Sequence, residues 1–162
     1  MPVIANGENL IQQIQRLLNG AELFEIPVLI SEQYPRGLGP TVSSLSEAGK
    51  DEALVFEKTT FSCREKRELF DRWLNEGRDQ VVVTGIESHI CVLQTCLDLI
   101  EFGFQVFVPC DAVGSRDLGN KEIALRRLEQ HRASLTVTES VLFEWCESST
   151  DPNFRTISQL VK

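Results

Sequence analysis

Apolar positions along this chain follow two alternating patterns. Leu10, Ile14, Leu17, Ala21 and Phe24 recur at helical spacing, so residues 7–24 predict an amphipathic helix. The apolar run "IPVLISE" (26–32) predicts a short strand. A stretch rich in Gly, Pro and Ser (33–50) predicts a loop, and "ALVFEK" (53–58) a second strand. Residues 63–76 predict a helix with Leu69, Phe70, Trp73 and Leu74 toward the core. "DQVVVTG" (79–85) is β-branched with almost no polar alternation, which predicts a strand buried on both faces. A helix at 88–102, a strand at 104–110, a helix at 117–131 and a strand at 134–138 follow, with short helices at 139–147 and 153–161.

Alternating helices and strands with short connections predict an α/β fold, a parallel sheet covered by helices on both faces. Five strands are visible in this pattern. The 162 residues predict one domain over 1–162. Ligands of such sheets bind beyond the carboxyl ends of the strands. Glu32, Gln33, Lys58, the segment Gly85 to Cys91, and Asp111 occupy those places.

Composition narrows the function classes. The net charge of −8 argues against a nucleic-acid partner, since phosphate contacts need clustered Lys and Arg. No apolar run is long enough to span a bilayer, so no membrane partner is expected. The opening "MPVIANGENL" lacks a basic segment and an apolar segment, which is unlike a signal peptide. Five scattered cysteines, at 63, 91, 96, 110 and 146, are then read as free thiols in a reducing cytoplasm.

One cysteine stands apart. In "TGIESHICVLQTCLDL" (84–99), Ser88 is placed to cap a helix, and Cys91 falls at its third position. The helix dipole and free amides there favour an anion, lowering a thiol pKa. The same amides could donate to an oxyanion. Gly85 permits a sharp turn between strand and helix. Cys91 is either such a nucleophile or one more buried small hydrophobe. Cys96 and Cys110 read as inert. A redox pair of Cys91 with Cys96 is set aside, because five helical residues rise about 7.5 Å, beyond ordinary disulfide reach. Two histidines without ligand spacing argue against zinc. Lys58 ends an apolar strand; it either caps the strand in solvent or lies near the thiol, lowering its pKa.

At this level of detail the chain resembles a known family. "VVVTGIESHICVLQTCLDLIEFGFQVFVPCDAVGSR" (81–116) is similar to the signature of the isochorismatase-like cysteine hydrolases. "FEKTTFSC" resembles that family's lysine segment, and "SEQYPRGLGPT" (31–41) the isochorismatase domain-containing branch. The resemblance implies a three-layer, doubly wound α/β/α fold and an Asp-Lys-Cys triad. Carried over, Cys91 is the nucleophile and Lys58 its cationic partner. A cis peptide is implied at Ile86–Glu87, with the amides of Ile90 and Cys91 as oxyanion donors. Gln33, Tyr34 and Phe61 would line the substrate pocket. The metal-binding histidines of the nicotinamidase branch have no counterpart at Glu32-Gln33-Tyr34, so neither metal nor cofactor is expected. Hydrolysis of a small amide-type or related metabolite and a homo-oligomeric state are the implied activity and assembly.

The family's aspartate ends a first strand that has no match here; "MPVIANGEN" resembles the segment after it. Three accounts follow. The chain continues upstream of Met1 as a complete hydrolase, which is the expectation preferred; or the short form is a catalytically impaired binding or oligomerisation module; or a partner chain donates the strand or base. An intact mass above 18.3 kDa from the native source would select the first.

Overall fold

The structure is a computed structural model that describes residues 4–46 and 54–162. Helix α1 (Gly7–Leu23) buries Leu10, Leu17 and Ala21, the stripe that its three-and-four spacing creates. Its end closes through Ile26 N–H on the Ala21 carbonyl, and Pro27 follows with no N–H to give. Strand β1 (Leu29–Gln33) therefore starts three residues later than its apolar run. It pairs in parallel with β2 (Leu54–Lys58), Gln33 opposite Lys58. Ala53, the expected first residue of β2, lies outside the described residues.

The expected loop at 33–50 contains two single-turn helices, α2 (Pro35–Leu38) and α3 (Ser43–Ser46). Proline at the first helical position explains α2, because the missing N–H would be unpaired there anyway. Residues 47–50 lie outside the description. After a 3₁₀ turn at Arg64–Lys66, α4 (Arg67–Asn75) buries Phe70 and Trp73, as expected. The Phe70 ring meets Trp73 at 5.9 Å and Phe104 at 6.0 Å between centroids.

The strand expected at 79–85 divides into β3 (Gln80–Val82) and β4 (Gly85–Ile86). Gly85, at φ +110°, turns the chain between them, a conformation that L side chains rarely adopt. Then come a π-helical turn (Ser88–Val92), α5 (Leu93–Glu101), β5 (Gln105–Pro109) and a short strand not foreseen, β6 (Val113–Gly114). Helix α6 (Leu118–Gln130) follows, its Asp117 cap accepting from the Asn120 amide at 2.9 Å. Strand β7 (Ser134–Thr136), α7 (Thr138–Cys146) and α8 (Phe154–Leu160) complete the order.

All described pairings are parallel, in three pieces: β1–β2, β3–β5–β7 and β4–β6. Alternation along β3 and into Val83 just after it shows the layering. Val81 and Val83 pack with α4, α5 and α6 residues, including Phe70, Cys96 and Leu128. Val82 packs on the other face with Leu17, Leu142, Cys146 and Ile157 of α1, α7 and α8. Helices thus cover both faces of parallel strands, a three-layer α/β/α fold. The three valines are only half-buried, however, against the expectation of burial on both faces. Among the described residues β3 pairs with β5 alone, whereas β5, flanked by β3 and β7, buries Val106 and Val108 completely.

Candidate active site

Parallel register between β1 and β2 sets Gln33 beside Lys58 at the carboxyl ends of the strands. The lysine does not run into solvent. It is 4% exposed, and its ammonium donates to Gln33 Oε1 (2.7 Å), the Phe61 carbonyl (2.7 Å) and the Thr60 carbonyl (3.1 Å). Three acceptors match its three hydrogens, which is how a charge can be held out of water. The Gln33 amide is oriented from the other side, Nε2 donating to the Thr59 carbonyl at 2.8 Å.

Cys91 approaches the same amide. Its thiol lies 3.9 Å from Gln33 Oε1, within reach of a weak S–H donor. One oxygen therefore faces both the thiol and the ammonium, contributed by separate parts of the fold. Cys91 sits in the π-helical turn that leads into α5, half-buried. The peptide bond at Ile86–Glu87 is cis.

The start of this helix differs from its sequence reading. The Glu87 carbonyl, and not the Ser88 hydroxyl, receives the first amides, those of Ile90 (3.0 Å) and Val92 (3.2 Å). Ser88 is fully buried, and its hydroxyl has no hydrogen-bond partner among the described residues. The Ile90 amide, expected to face an oxyanion, is thus already engaged by the tight turn. The Glu87 side chain clips the turn to the loop after β6: Oε2 accepts from the Arg116 amide at 2.9 Å, and Oε1 lies 3.0 Å from Arg116 Nε. His89 Nδ1 and Ser115 Oγ, 3.0 Å apart, make a second clip.

The thiol also departs from expectation. Burial pushes the Cys91 pKa above its ordinary value, and the nearby Lys58 ammonium pulls it back only in part. Half-burial outweighs the cation, so the net shift favours the thiol over the thiolate. Cys96, wholly buried in the core, is pushed up to about 12, which fits an inert thiol. All five cysteines are free.

Tyr34 and Phe61, expected at the pocket, and Ile86, expected in the cis-peptide turn, are exposed large side chains. The Tyr34 ring folds back on α2, where Gly37 leaves space that a Cβ would fill. Sequence reasoning missed a polar cluster behind the site, Ser62, Thr95 and Asp98, each bonded to another element. Asp98 lay inside the quoted motif, but nothing in its spacing announced a partner. Among the described residues, no group of three or more His, Cys, Asp or Glu is placed to hold a metal ion. No carboxylate among them is hydrogen-bonded or ion-paired to Lys58 or Cys91.

The isochorismatase domain matches residues 2–140 of this sequence. The chain belongs to the isochorismatase family. It is 40% identical over 163 residues to isochorismatase domain-containing protein 1 of Danio rerio, covering 99% of this chain and 56% of that protein. It therefore spans little more than half the length of that relative. It is 37% identical to the secreted isochorismatase effector Isc1 of Phytophthora sojae, over 100% of this chain and 76% of the effector. Among solved structures, the MAR1 ribonuclease of Caenorhabditis elegans superimposes with a TM-score of 0.91 at 34% identity, covering 98% of this chain and 81% of that one.

Proposed function

We propose that this family member is a cysteine hydrolase of small amide-type or related metabolites, with Cys91 as nucleophile and Lys58 in support. The single observation that carries the reading is the shared Gln33 oxygen, which draws a buried ammonium and a half-buried thiol together beyond the strand ends. In the proposed reaction the thiol loses its proton to a base, and the thiolate attacks the substrate carbonyl. The leaving amine takes a proton, and water then releases the acyl group as an acid while the thiol reforms. Lys58 stabilises the thiolate by its charge. The oxyanion role falls to the Cys91 amide, since that of Ile90 is engaged. Tyr34, Phe61 and Ile86 offer apolar contacts to the substrate.

The ribonuclease named among the relatives suggests a different substrate. A net charge of −8 favours a small molecule over a polyanion here. We place the protein in a reducing compartment such as the cytoplasm, where its five free thiols persist, and expect a homo-oligomer.

A second reading, a binding or oligomerisation module, is favoured by one observation: no carboxylate base among the described residues contacts Cys91 or Lys58. An acylation experiment separates the two. With p-nitrophenyl acetate the hydrolase reading expects an acetyl adduct mapped to Cys91, lost in Cys91→Ala, followed by turnover. An unmodified Cys91 in a folded protein would sink it in favour of the module.

A further inference from the structure

Lys58 is held largely by a loop. Two of its three acceptors are the carbonyls of Thr60 and Phe61, and such carbonyls can fix an ammonium only if the loop itself is fixed. The anchoring comes from α5. Ser62 Oγ donates to Asp98 Oδ2, and the Cys63 amide donates to Thr95 Oγ1 at 3.2 Å. Thr95 and Asp98, three residues apart, share one face of the helix. The loop is also braced internally. Thr60 Oγ1 donates to the Ser62 carbonyl at 3.0 Å, and the Arg64 amide to Ser62 Oγ at 3.1 Å. Arg64 Nη1 lies 3.2 Å from Asp98 Oδ1. Ser62 and Thr95 are buried and Asp98 is nearly so.

The same helix is led in by the turn that carries Cys91. One rigid rod therefore presents the thiol at its head and, about two turns further along, clamps the loop that holds the lysine. We infer that Asp98, acting through Ser62, is a positioning residue that sets where the Lys58 ammonium stands relative to Cys91. The inference rests on the reading of Lys58 as the partner of Cys91. It gives a largely covered aspartate on α5 a role toward the lysine that ends β2. Arg64, more than half exposed, contributes little, because ion pairs in contact with water are weak.

The test is the pH profile of Cys91 alkylation by iodoacetamide, resolved by peptide mass on the full chain, with melting curves beside it. Lys58→Met should move the profile to higher pH and slow alkylation near neutrality by about tenfold, since one pKa unit is tenfold in thiolate. Asp98→Ala and Ser62→Ala should shift it the same way, by roughly threefold in rate on the same scale. Asp98→Asn, which keeps an oxygen for the Ser62 hydroxyl, should stay near the parent profile, as should Arg64→Met. If both Asp98→Asn and Asp98→Ala move the profile to lower pH, Asp98 acts only as a charge and the proposal is overturned. If Asp98→Ala and Ser62→Ala lower the melting temperature and leave the profile in place, the role is structural and the proposal is equally overturned. A profile unmoved by Lys58→Met would instead sink the pairing of Lys58 with Cys91. Movement in Lys58→Met without movement in Asp98→Ala or Ser62→Ala would sink the positioning role alone.

Discussion

Strands β1 (LISEQ) and β5 (QVFVP) are each five residues long and parallel, yet they differ in composition and in surroundings. Strand β5 buries Val106, Val108 and Pro109, while no residue of β1 is fully buried. Among the described residues β5 pairs on both edges and β1 on one. Strand β3, with its run of valines, falls between: paired with β5 on one side, it keeps those valines half exposed. The half-exposed valines of β3 show that an apolar run alone does not bury a strand; what packs beside it decides as well. In this chain the chemistry gathers where the two environments meet. Gln33 and Lys58 come from the lightly covered pair, and Cys91 from a helix seated on the dense three-stranded unit.

Truncating side chains in each region breaks the comparison most directly. Leu128, fully buried under α6 in the dense unit, should lose about 3 kcal/mol as Leu128→Ala, from lost burial plus a cavity. Val55 on β2 is 59% exposed, and Val55→Ala should stay within about 0.5 kcal/mol. Urea unfolding followed by circular dichroism compares them. Similar losses would show that the β1–β2 pair is as tightly packed as β3–β5–β7.

Overpacking gives a smaller effect at the opposite face. A Cβ at Gly20 of α1 would lie 2.3 Å from Leu142 Cδ2 and 3.2 Å from the Trp145 ring, and Leu142 is fully buried, so the packing there must shift. Gly20→Ala should therefore destabilise by about 1–3 kcal/mol despite its better helix propensity. A melting temperature at or above the parent's would mean that α1 and α7 are less close than described.

Cys91 and Cys96 carry the comparison into chemistry. Both thiols are pushed up by burial, but only Cys91 has the Lys58 ammonium pulling against it. Cys91 should be alkylated first, its rate still rising above neutral pH, and Cys96 only on unfolding. For Cys96 the folded pKa of about 12 lies above the ordinary 9.0. As pH rises past that ordinary value the unfolded chain loses this proton and the folded chain does not, so stability falls. Cys96→Ala should flatten this part of the slope in urea unfolding at alkaline pH. An unchanged slope would mean that Cys96 is not shielded.

Much of this was legible in the residues. Stripes such as Leu10, Leu17 and Ala21 predicted the helices because their period reflects which face is buried. The strand positions were readable too, but their division was not: Gly85 splits 79–85 only because β4 pairs with β6 rather than β5. The sequence pointed to Cys91, Lys58 and Gln33 as a group, and they do gather. It did not reveal that Lys58 would be buried, since that depends on carbonyls of a loop fastened by Ser62 and Asp98. Nor did it show that Glu87 would displace Ser88 as the acceptor at the helix start. The lowered thiol pKa expected from helix position failed because burial, a property of the whole fold, acts in the opposite direction.

The smallest expected effect lies in the lightly covered pair. Glu32 Oε1 at the end of β1 accepts from the Thr41 amide at 2.7 Å, tying the strand to the loop beyond α2. That hydrogen bond holds the Glu32 carboxyl below its usual 4.5. A depressed folded pKa means that the stabilisation is complete above the unfolded value and is lost as pH falls through the folded one. Parent and Glu32→Gln should therefore differ slightly near neutrality and converge in acid. The carboxylate is well solvated, so the difference is screened and small, and should shrink further in high salt. Amide exchange at Thr41 reads it locally, with faster exchange expected in Glu32→Gln above the carboxylate pKa and none gained below it. Equal exchange at every pH would show that the β1 end is held without this clip.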